Sequence, residues 1–464
     1  MLSISPAFTP FLDPDYIPAV LWHQAYDRRA RADAGSRPLA ITLERQDGNI
    51  SRHDTVVLPA TLENAALNLR CVERLLKFLL WSRGGARISI GGAPEIAAAL
   101  QELYAPAGER KFDVEFSSRI YLRPFTIVSC AYEEAPAASE AATPLGRHLE
   151  GCRIGFDLGG SDRKCAAVID GKVVFSEEVA WDPYFQSDPG YHRSGIQDSL
   201  RRAAAHLPRV DAIGGSAAGV YVDNEVRAAS LFRGVPEDSF EKHVRRLFFD
   251  IQQEWNNVPF EVVNDGEVTA LAGSMSLHEN RVLGISMGTS VAAGYVNQEG
   301  NITSWLNELA FVPVDYRDHA PLDEWSGDRG CAVQYFCQQG VARLIPRAGI
   351  PVRQGMKFAE QLMEVQKLMQ AGDARARNIY DTLGVCFGYA VAHFAAFYDL
   401  SVLLILGRVT SGTGGDLLLA RAGEVLQTEF PEIASRVRLH VPGEHDKRHG
   451  QAIAAASLPA LHAS

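Results

Sequence analysis

Apolar positions along this chain follow two periods, and the points where one gives way to the other mark out its elements. The run ITLERQDGNISRHDTVVL, residues 41–58, reads as two strand-like stretches around Asp47-Gly48-Asn49, which predicts a hairpin. From Asn64 to Trp81 the residues Leu69, Val72, Leu75, Leu76 and Leu79 keep helical spacing, and the pattern stops at Gly84-Gly85. ARISIGG follows as a strand, PEIAAALQELY as a helix, and FDVEFSS and IYLRPFTIVSCAY as further strands, so residues 37–149 read as an α/β accessory region. Ahead of it, residues 1–36 combine several prolines with the charged segment YDRRARADAGSR and are expected to form an extended arm that packs on something else. EEAPAASEAAT, residues 133–143, has no periodicity and reads as a linker.

Beyond the linker the strand pattern returns. RIGFDLGGSDRK carries an apolar run to Asp157, turns at Gly159, Gly160 and Ser161, and reaches Lys164; CAAVID, Asp170-Gly171-Lys172 and VVFSEEV continue it as strands. Glycines between two strands disfavour a phosphate loop of the kind that opens a helix. Their bare amides with a cation three residues on suit an anion, and the alternative is an ordinary hairpin turn. VDAIGGSAAGVYV runs a strand into Gly214, Gly215, Ser216 and Gly219, either a close approach to a ligand or a turn. Ser239 to Trp255 is predicted as one amphipathic helix capped by Ser239. The strand Phe260 to Val263 delivers Asn264-Asp265-Gly266 to a helix start, where open α/β sheets bind ligands; Asp265 is either a ligand-facing carboxylate or the helix cap. RVLGISMGTSVAAGYV is a second hairpin, turning at Met287-Gly288-Thr289-Ser290. Two such hairpins with a helical unit between them can supply donors to both sides of one polyphosphate. Gly327 to Phe336 is predicted to open a helix, and long helices follow over Phe358–Ala371 and Asp373–Tyr398. VLLILG then leads into RVTSGTGGD, where Gly407, Gly412, Gly414 and Gly415 mark either a base or ribose site or the start of a helix. A strand, RVRLHV, and a helix, GQAIAAASLPAL, come last.

Composition narrows the function classes. A length of 464 residues suits two or three domains, and 47% apolar with 22% charged residues is ordinary for a globular protein. The net charge of -11, with no Lys/Arg-rich run, argues against nucleic acid and anionic membranes as partners. Seven scattered cysteines without a C-x-x-C pair read as reduced thiols in a cytoplasmic protein, and neither a secretory signal nor a membrane-length apolar run is expected.

Taken in order, DLGGSDRK, VNDGEVTALAG, LGISMGTSVAAGYV and ILGRVTSGTGGD resemble the sugar-kinase, actin and Hsp70-like superfamily, and within it the ROK (repressor, open reading frame, kinase) sugar kinases. The resemblance covers about residues 150–460. It implies a two-lobed α/β fold of the actin-like ATPase (ribonuclease H-like) class. The lobes would be residues 150–282 and 283–464, with the last helix packing back on the first, beside the accessory region. It implies an ATP- and Mg²⁺-dependent kinase acting on a sugar or sugar-like polyol, with Asp265 as general base and Asn264, Glu308, Gly215 and Gly219 at the substrate. Asp157, Gly159, Gly160, Ser161 and Lys164 would form the first phosphate motif, Gly288 and Thr289 the second, and Gly407, Gly412 and Gly415 the adenosine border, with Mg²⁺ on Asp157 through water. A homodimer is the expected assembly.

The chain departs from the family at two sugar contacts. The histidine position is Phe311, and the second glutamate falls at Val333, with Gln334 adjacent. The cysteine motif for zinc shrinks to Gly330-Cys331, so no structural zinc is expected. A non-catalytic sugar-sensing or scaffolding protein on the same fold is the alternative. A DNA-binding version is disfavoured because residues 1–149 lack a helix-turn-helix pattern.

Overall fold

The computed structural model describes residues 2–46, 48–140, 145–442 and 444–461, the last range without the side chains of 444–449. Asp47 of the first predicted turn and residues 141–143 of the predicted linker lie outside the described residues.

Residues 2–18 pass over the C-terminal half of the chain and are pinned there by Asp13. This fully buried carboxylate accepts from Arg317 at 2.6 Å, Arg343 at 2.7 Å and Arg347 at 2.6 Å. Burial alone would raise its pKa; pairing with Arg317 and Arg343 wins and holds it at about 2. The arm is shorter than expected, because YDRRARADAG lies largely in a helix, α1 (Ala19–Ala32), whose Trp22, Tyr26 and Ala30 enter the accessory core.

The accessory region continues with β1 (Arg37–Glu44), β2 (Ile50–Val57), α2 (Leu62–Ser82), β3 (Arg87–Gly91), α3 (Pro94–Leu103), α4 (Lys111–Tyr121) and β4 (Thr126–Cys130), its sheet ordered β2-β1-β3-β4. FDVEFSS, predicted as a strand, is the helix α4. Phe112, Val114 and Phe116 satisfy a period of two and also the i,i+4 spacing of a helix face, and tertiary contacts choose the helix. Phe112 and Phe116 pack on Trp81 of α2, while Asp113 between them takes Lys77 and the indole of Trp81.

The second sheet is built from β5 (Cys152–Leu158), β6 (Asp162–Ile169), β7 (Lys172–Ala180), α5 (Pro189–Ala204), β8 (Ala212–Ala217), the ribbon β9 (Val220–Val222) and β10 (Glu225–Ala228), α6 (Glu237–His243), α7 (Leu247–Glu254), β11 (Phe260–Asn264) and α8 (Asp265–Leu277). Its order is β11-β8-β5-β6-β7, with β5, β8 and β11 parallel and β6 and β7 antiparallel. The single helix predicted over Ser239–Trp255 is two: the chain breaks where the Arg245 carbonyl accepts from the Val226 N–H of β10, and Ser239 caps neither helix.

The third sheet repeats the plan with β12 (Val282–Met287), β13 (Val291–Val296), α9 (Gln338–Leu344), α10 (Phe358–Gln370), α11 (Ala374–Phe394), β14 (Val402–Leu406), α12 (Gly412–Glu429), α13 (Pro431–Arg436), β15 (Arg438–His440) and α14 (Glu444–Ala456), ordered β13-β12-β14-β15. Gly327–Phe336 opens no helix there; it holds one short turn of 3₁₀ helix at Ala332–Gln334. Where the second sheet has β7, the third keeps only a bridge from Val296 to Ile302, and the following residues turn away to meet α2.

Glycines let elements of the two halves touch backbone to backbone. A Cβ on Gly155 or Gly214 would stand 2.2 or 1.7 Å from carbonyls of Ala452 and Ala455, so α14 lies directly on β5 and β8. Likewise a Cβ on Gly294 of β13 would meet the Gly266 carbonyl at 2.2 Å, which presses the start of α8 against the third sheet. The accessory region also bridges the halves: Trp81 and Phe78 of α2 join the core of the third sheet, and the Ile120 carbonyl of α4 accepts from Arg227 in the β9-β10 ribbon at 3.1 Å.

Candidate active site

Strand register assembles the first half of the site. Asp157 near the end of β5 lies level with Lys164 on β6 and Ser216 on β8, so the three side chains share a face. Ser216 Oγ donates to Asp157 Oδ1 at 2.8 Å, and Lys164 Nζ stands 3.6 Å from Asp157 Oδ2 and 3.3 Å from Asp162 Oδ1. Burial raises the Asp157 pKa above its usual value against the opposing pull of Lys164 and Ser216. In the turn between these strands the Gly159 N–H closes on the Asp162 carbonyl at 2.9 Å, which leaves the amides of Gly160 and Ser161 as its candidate anion donors. Gly160 has no room for a side chain, since a Cβ there would stand 2.0 Å from the Tyr184 hydroxyl oxygen.

One strand further, β11 hands over to α8. Asn264, not Asp265, is the helix cap: its Oδ1 accepts from the Gly266 N–H at 2.7 Å, and its Nδ2 donates to the Gly219 carbonyl at 2.7 Å. The amide expected at the substrate is thus engaged on both sides, and it fixes the Gly219 loop relative to Asp265. Gly219 itself needs glycine, at φ +135°. Asp265 sits half-buried, accepts from the Gly266 N–H at 3.0 Å, and is pushed up to about 6 by burial first and by the charge of Asp157 second. Gly215, expected at the substrate, lies in the core, where a Cβ would stand 2.1 Å from the Phe156 ring.

Two more carboxylates face the same space. Glu308 is pushed up to about 7 by burial and then by Asp265; Glu267 is pushed up to about 8 by burial and then by Glu308 and Asp265. The charge of Asp157 reaches Asp265, and that of Asp265 reaches Glu308 and Glu267, so the four carboxylates are neighbours at the start of α8. Glu267 went unrecognised in the sequence, although Asn-Asp-Gly-Glu is a capping-box spacing and the Asn264 N–H pulls its pKa down against the burial. Because its pKa rises on folding from an ordinary 4.5 to about 8, the folded state binds more protons than the unfolded one across that window, and stability falls as pH rises through it. Glu267→Gln keeps the cap and removes the charge. It is expected to raise the melting temperature at pH 8, by about 1 to 2 kcal/mol of stability, and to change nothing at pH 4, as scanning calorimetry would show.

Glu308 is held by the accessory region. The last carbonyls of α2, which a helix leaves without internal partners, accept from the next chain segment: Arg83 from Leu306 at 3.3 Å, Ser82 from Asn307 at 3.0 Å and Trp81 from Glu308 at 2.9 Å. Arg83 stacks on Trp305 at 3.3 Å, and Tyr398 donates to Asn307 at 3.0 Å. Phe311, one turn on, packs against Trp81 with ring centres 4.4 Å apart and against Phe112 at 5.4 Å.

The second glycine turn lies at the other side. The Gly288 N–H bonds the Ser290 carbonyl at 3.0 Å, and the Gly288 carbonyl accepts from the Gln338 N–H at 3.0 Å; Thr289 and Ser290 are exposed. β14 runs parallel to β12, so Gly407, at φ +103°, comes against Met287, where a Cβ would meet the Met287 carbonyl oxygen at 2.3 Å. Gly412 is exposed with φ +67°, whereas Gly415 is buried inside the first turns of α12 against the Thr410 carbonyl. Gly288, Thr289 and Gly407 are therefore gathered, and Gly415 serves helix packing.

For a cation, Asp157 offers one carboxylate with the Ser216 hydroxyl beside it. Among the described residues no three His, Cys, Asp or Glu side chains form a metal-ligand set. Mg²⁺ at a single carboxylate such as Asp157 would take most of its ligands from water and phosphate oxygens. The loop around Cys331 is tied down by ions: Asp328 takes Arg74 at 3.0 Å, Arg110 at 2.8 Å and Lys77 at 3.3 Å, and Glu73 and Asp113 complete a buried set of three carboxylates and three cations.

No protein-family model and no curated protein matches the chain. Among solved structures, a ROK family transcriptional regulator, a homolog of the E. coli MLC protein, superposes with a TM-score of 0.54 at 18% identity, covering 67% of this chain and 79% of the other. The chain has the ROK fold. The ROK hexokinase from Thermus thermophilus matches at TM-score 0.49, 19% identity and 66% and 97% coverage. A ROK family glucokinase from Streptomyces griseus in complex with glucose and AMPPNP matches at 0.47, 19%, 67% and 99%. The ROK fold accounts for the mixed α/β architecture of the second and third sheets. Among the described residues no helix is long and apolar enough to cross a membrane.

Proposed function

We propose that this protein is an ATP-dependent kinase that transfers the γ-phosphoryl group to a hydroxyl of a sugar or sugar-like polyol. The observation that supports it most is the alignment of Asp157, Lys164 and Ser216 one strand from Asp265, on a helix pressed against the sheet that carries the second glycine turn. In this reading the amides of Gly160 and Ser161 on one side and the Gly288-Thr289 turn on the other hold the phosphates, and Gly407 borders the nucleoside. Asp157 would hold Mg²⁺ through water, and the ion would supply charge neutralisation at the phosphates when bound. The acceptor oxygen bonds to the γ-phosphorus, the bond from that phosphorus to the β,γ-bridging oxygen breaks, ADP leaves, and the acceptor's proton passes to the Asp265 carboxylate. Glu308 and Glu267 stand by to accept hydrogen bonds from neighbouring hydroxyls.

A thermal-shift panel of sugars and polyols with a non-hydrolysable ATP analogue and Mg²⁺, followed by mass detection of the phosphate ester with ATP, tests the assignment. At least one acceptor is expected both to raise the melting temperature and to be phosphorylated. Binding without ester formation by any acceptor would favour a sugar sensor on the same fold.

A further inference from the structure

Beside Glu308 stands a wall of carbon. Trp81, Phe112, Phe116 and Phe311 form one aromatic group with ring centres 4.4 to 5.8 Å apart along Phe311–Trp81, Trp81–Phe116, Phe311–Phe112 and Trp81–Phe112. Trp81 is buried, and the three phenylalanines are half-buried. The group's only side-chain polar atom, Trp81 Nε1, is already spent on Asp113 at 2.8 Å, on the side of the buried ion set.

This wall is joined to the acidic cluster by backbone: the Trp81 carbonyl accepts from the Glu308 N–H at 2.9 Å, and the Glu308 carbonyl accepts from the Phe311 N–H at 3.3 Å. On its other flank Phe116 packs against a small apolar group of Ala86, Ile120, Tyr121 and Val220, the last being the residue after the Gly219 that Asn264 holds beside Asp265. Backbone bonds thus set the wall beside Glu308, and α4 carries it to the ribbon that follows Gly219. A hydroxyl turned to this wall would lose its water partners and find none in exchange, whereas an apolar group there gains burial.

We propose that the acceptor is a hydroxyl compound carrying an apolar substituent, in chemical class an alkyl or aryl glycoside, and that Phe112, Phe116 and Phe311 receive that substituent. This rests on the acceptor-kinase reading for which cleft the ligand enters. Phe112 and Phe116 come from the accessory region, so that region acts in specificity.

Titration calorimetry of the whole chain carrying Asp265→Asn, with a non-hydrolysable ATP analogue and Mg²⁺, reads acceptor binding without transfer. The probes are matched pairs of a free hexose and its phenyl β-glycoside in the gluco, manno and galacto series. In at least one series the phenyl glycoside is expected to bind about tenfold or more tightly than the hexose. Adding Phe311→His should shrink that ratio severalfold, while Phe112→Leu, which keeps the wall apolar, should largely preserve it. If Phe311→His fails to fold, the ratios of the parent protein across phenyl, octyl and methyl glycosides decide. Equal or tighter binding of the free hexose in every series, or no binding by any glycoside, overturns the proposal. The kinase reading fails separately: a wild-type protein that prefers the phenyl glycoside yet forms no phosphate ester leaves the carbon wall standing and removes the activity.

Discussion

Asp265→Asn is expected to lower kcat by about 10²- to 10⁴-fold, the usual contribution of a general base, with nucleotide binding little changed. The amide keeps the size of the side chain and its contact with the Gly266 N–H, and it loses the capacity to take a proton. The wild-type pH profile carries the same signature. In the proposed reaction the base would work as a carboxylate, and the Asp265 pKa is pushed up to about 6 by burial and by Asp157, so kcat/KM should climb about tenfold per pH unit up to pH 6 and level off above it. Steady-state rates of ester formation between pH 4.5 and 8 measure this. Undiminished ester formation by Asp265→Asn would remove the carboxylate from the chemistry.

The largest effect on stability is expected at Asp328. Burial would raise its pKa, and Arg74, Lys77 and Arg110 around it hold it well below the carboxylate range. Asp328→Ala leaves those three cations with Glu73, Asp113 and the exposed Glu109, and should cost about 3 to 5 kcal/mol in chemical denaturation. Glu95→Ala, which breaks the partly exposed pair with Arg37, should cost less than about 1 kcal/mol in the same assay. If Asp328→Ala unfolds at the wild-type midpoint, the ion set does not clamp the Cys331 loop to α2 and α4.

The glycine hairpins were legible because their signal is local. Strand, turn and strand lie within about a dozen residues, and a Gly-Gly or Gly-Thr turn leaves the backbone little alternative. The same holds for α2 and for the strand-to-helix junction at Asn264-Asp265. Reading failed where a local pattern fitted two structures or where the deciding partner was remote. FDVEFSS carries both periods, and Trp81, some 30 residues earlier, chose between them. The helix break before Leu247 depends on the Val226 N–H. Gly215 resembled a ligand-approach glycine and proved to make room for Phe156. Glu267 has a capping-box spacing that explains it locally, and its burial, with Glu308 and Asp265 beside it, is set by the fold.

By itself, the sequence determined the two glycine turns, the carboxylate at a strand end and the α/β alternation, since each is encoded by residues adjacent in the chain. Tertiary structure decided where the accessory region packs. Its α2 ends on carbonyls that need N–H partners, the segment carrying Glu308 supplies them, and α4 brings Phe112 and Phe116 to Phe311. Those contacts join residues about 200 positions or more apart, and no local pattern records them.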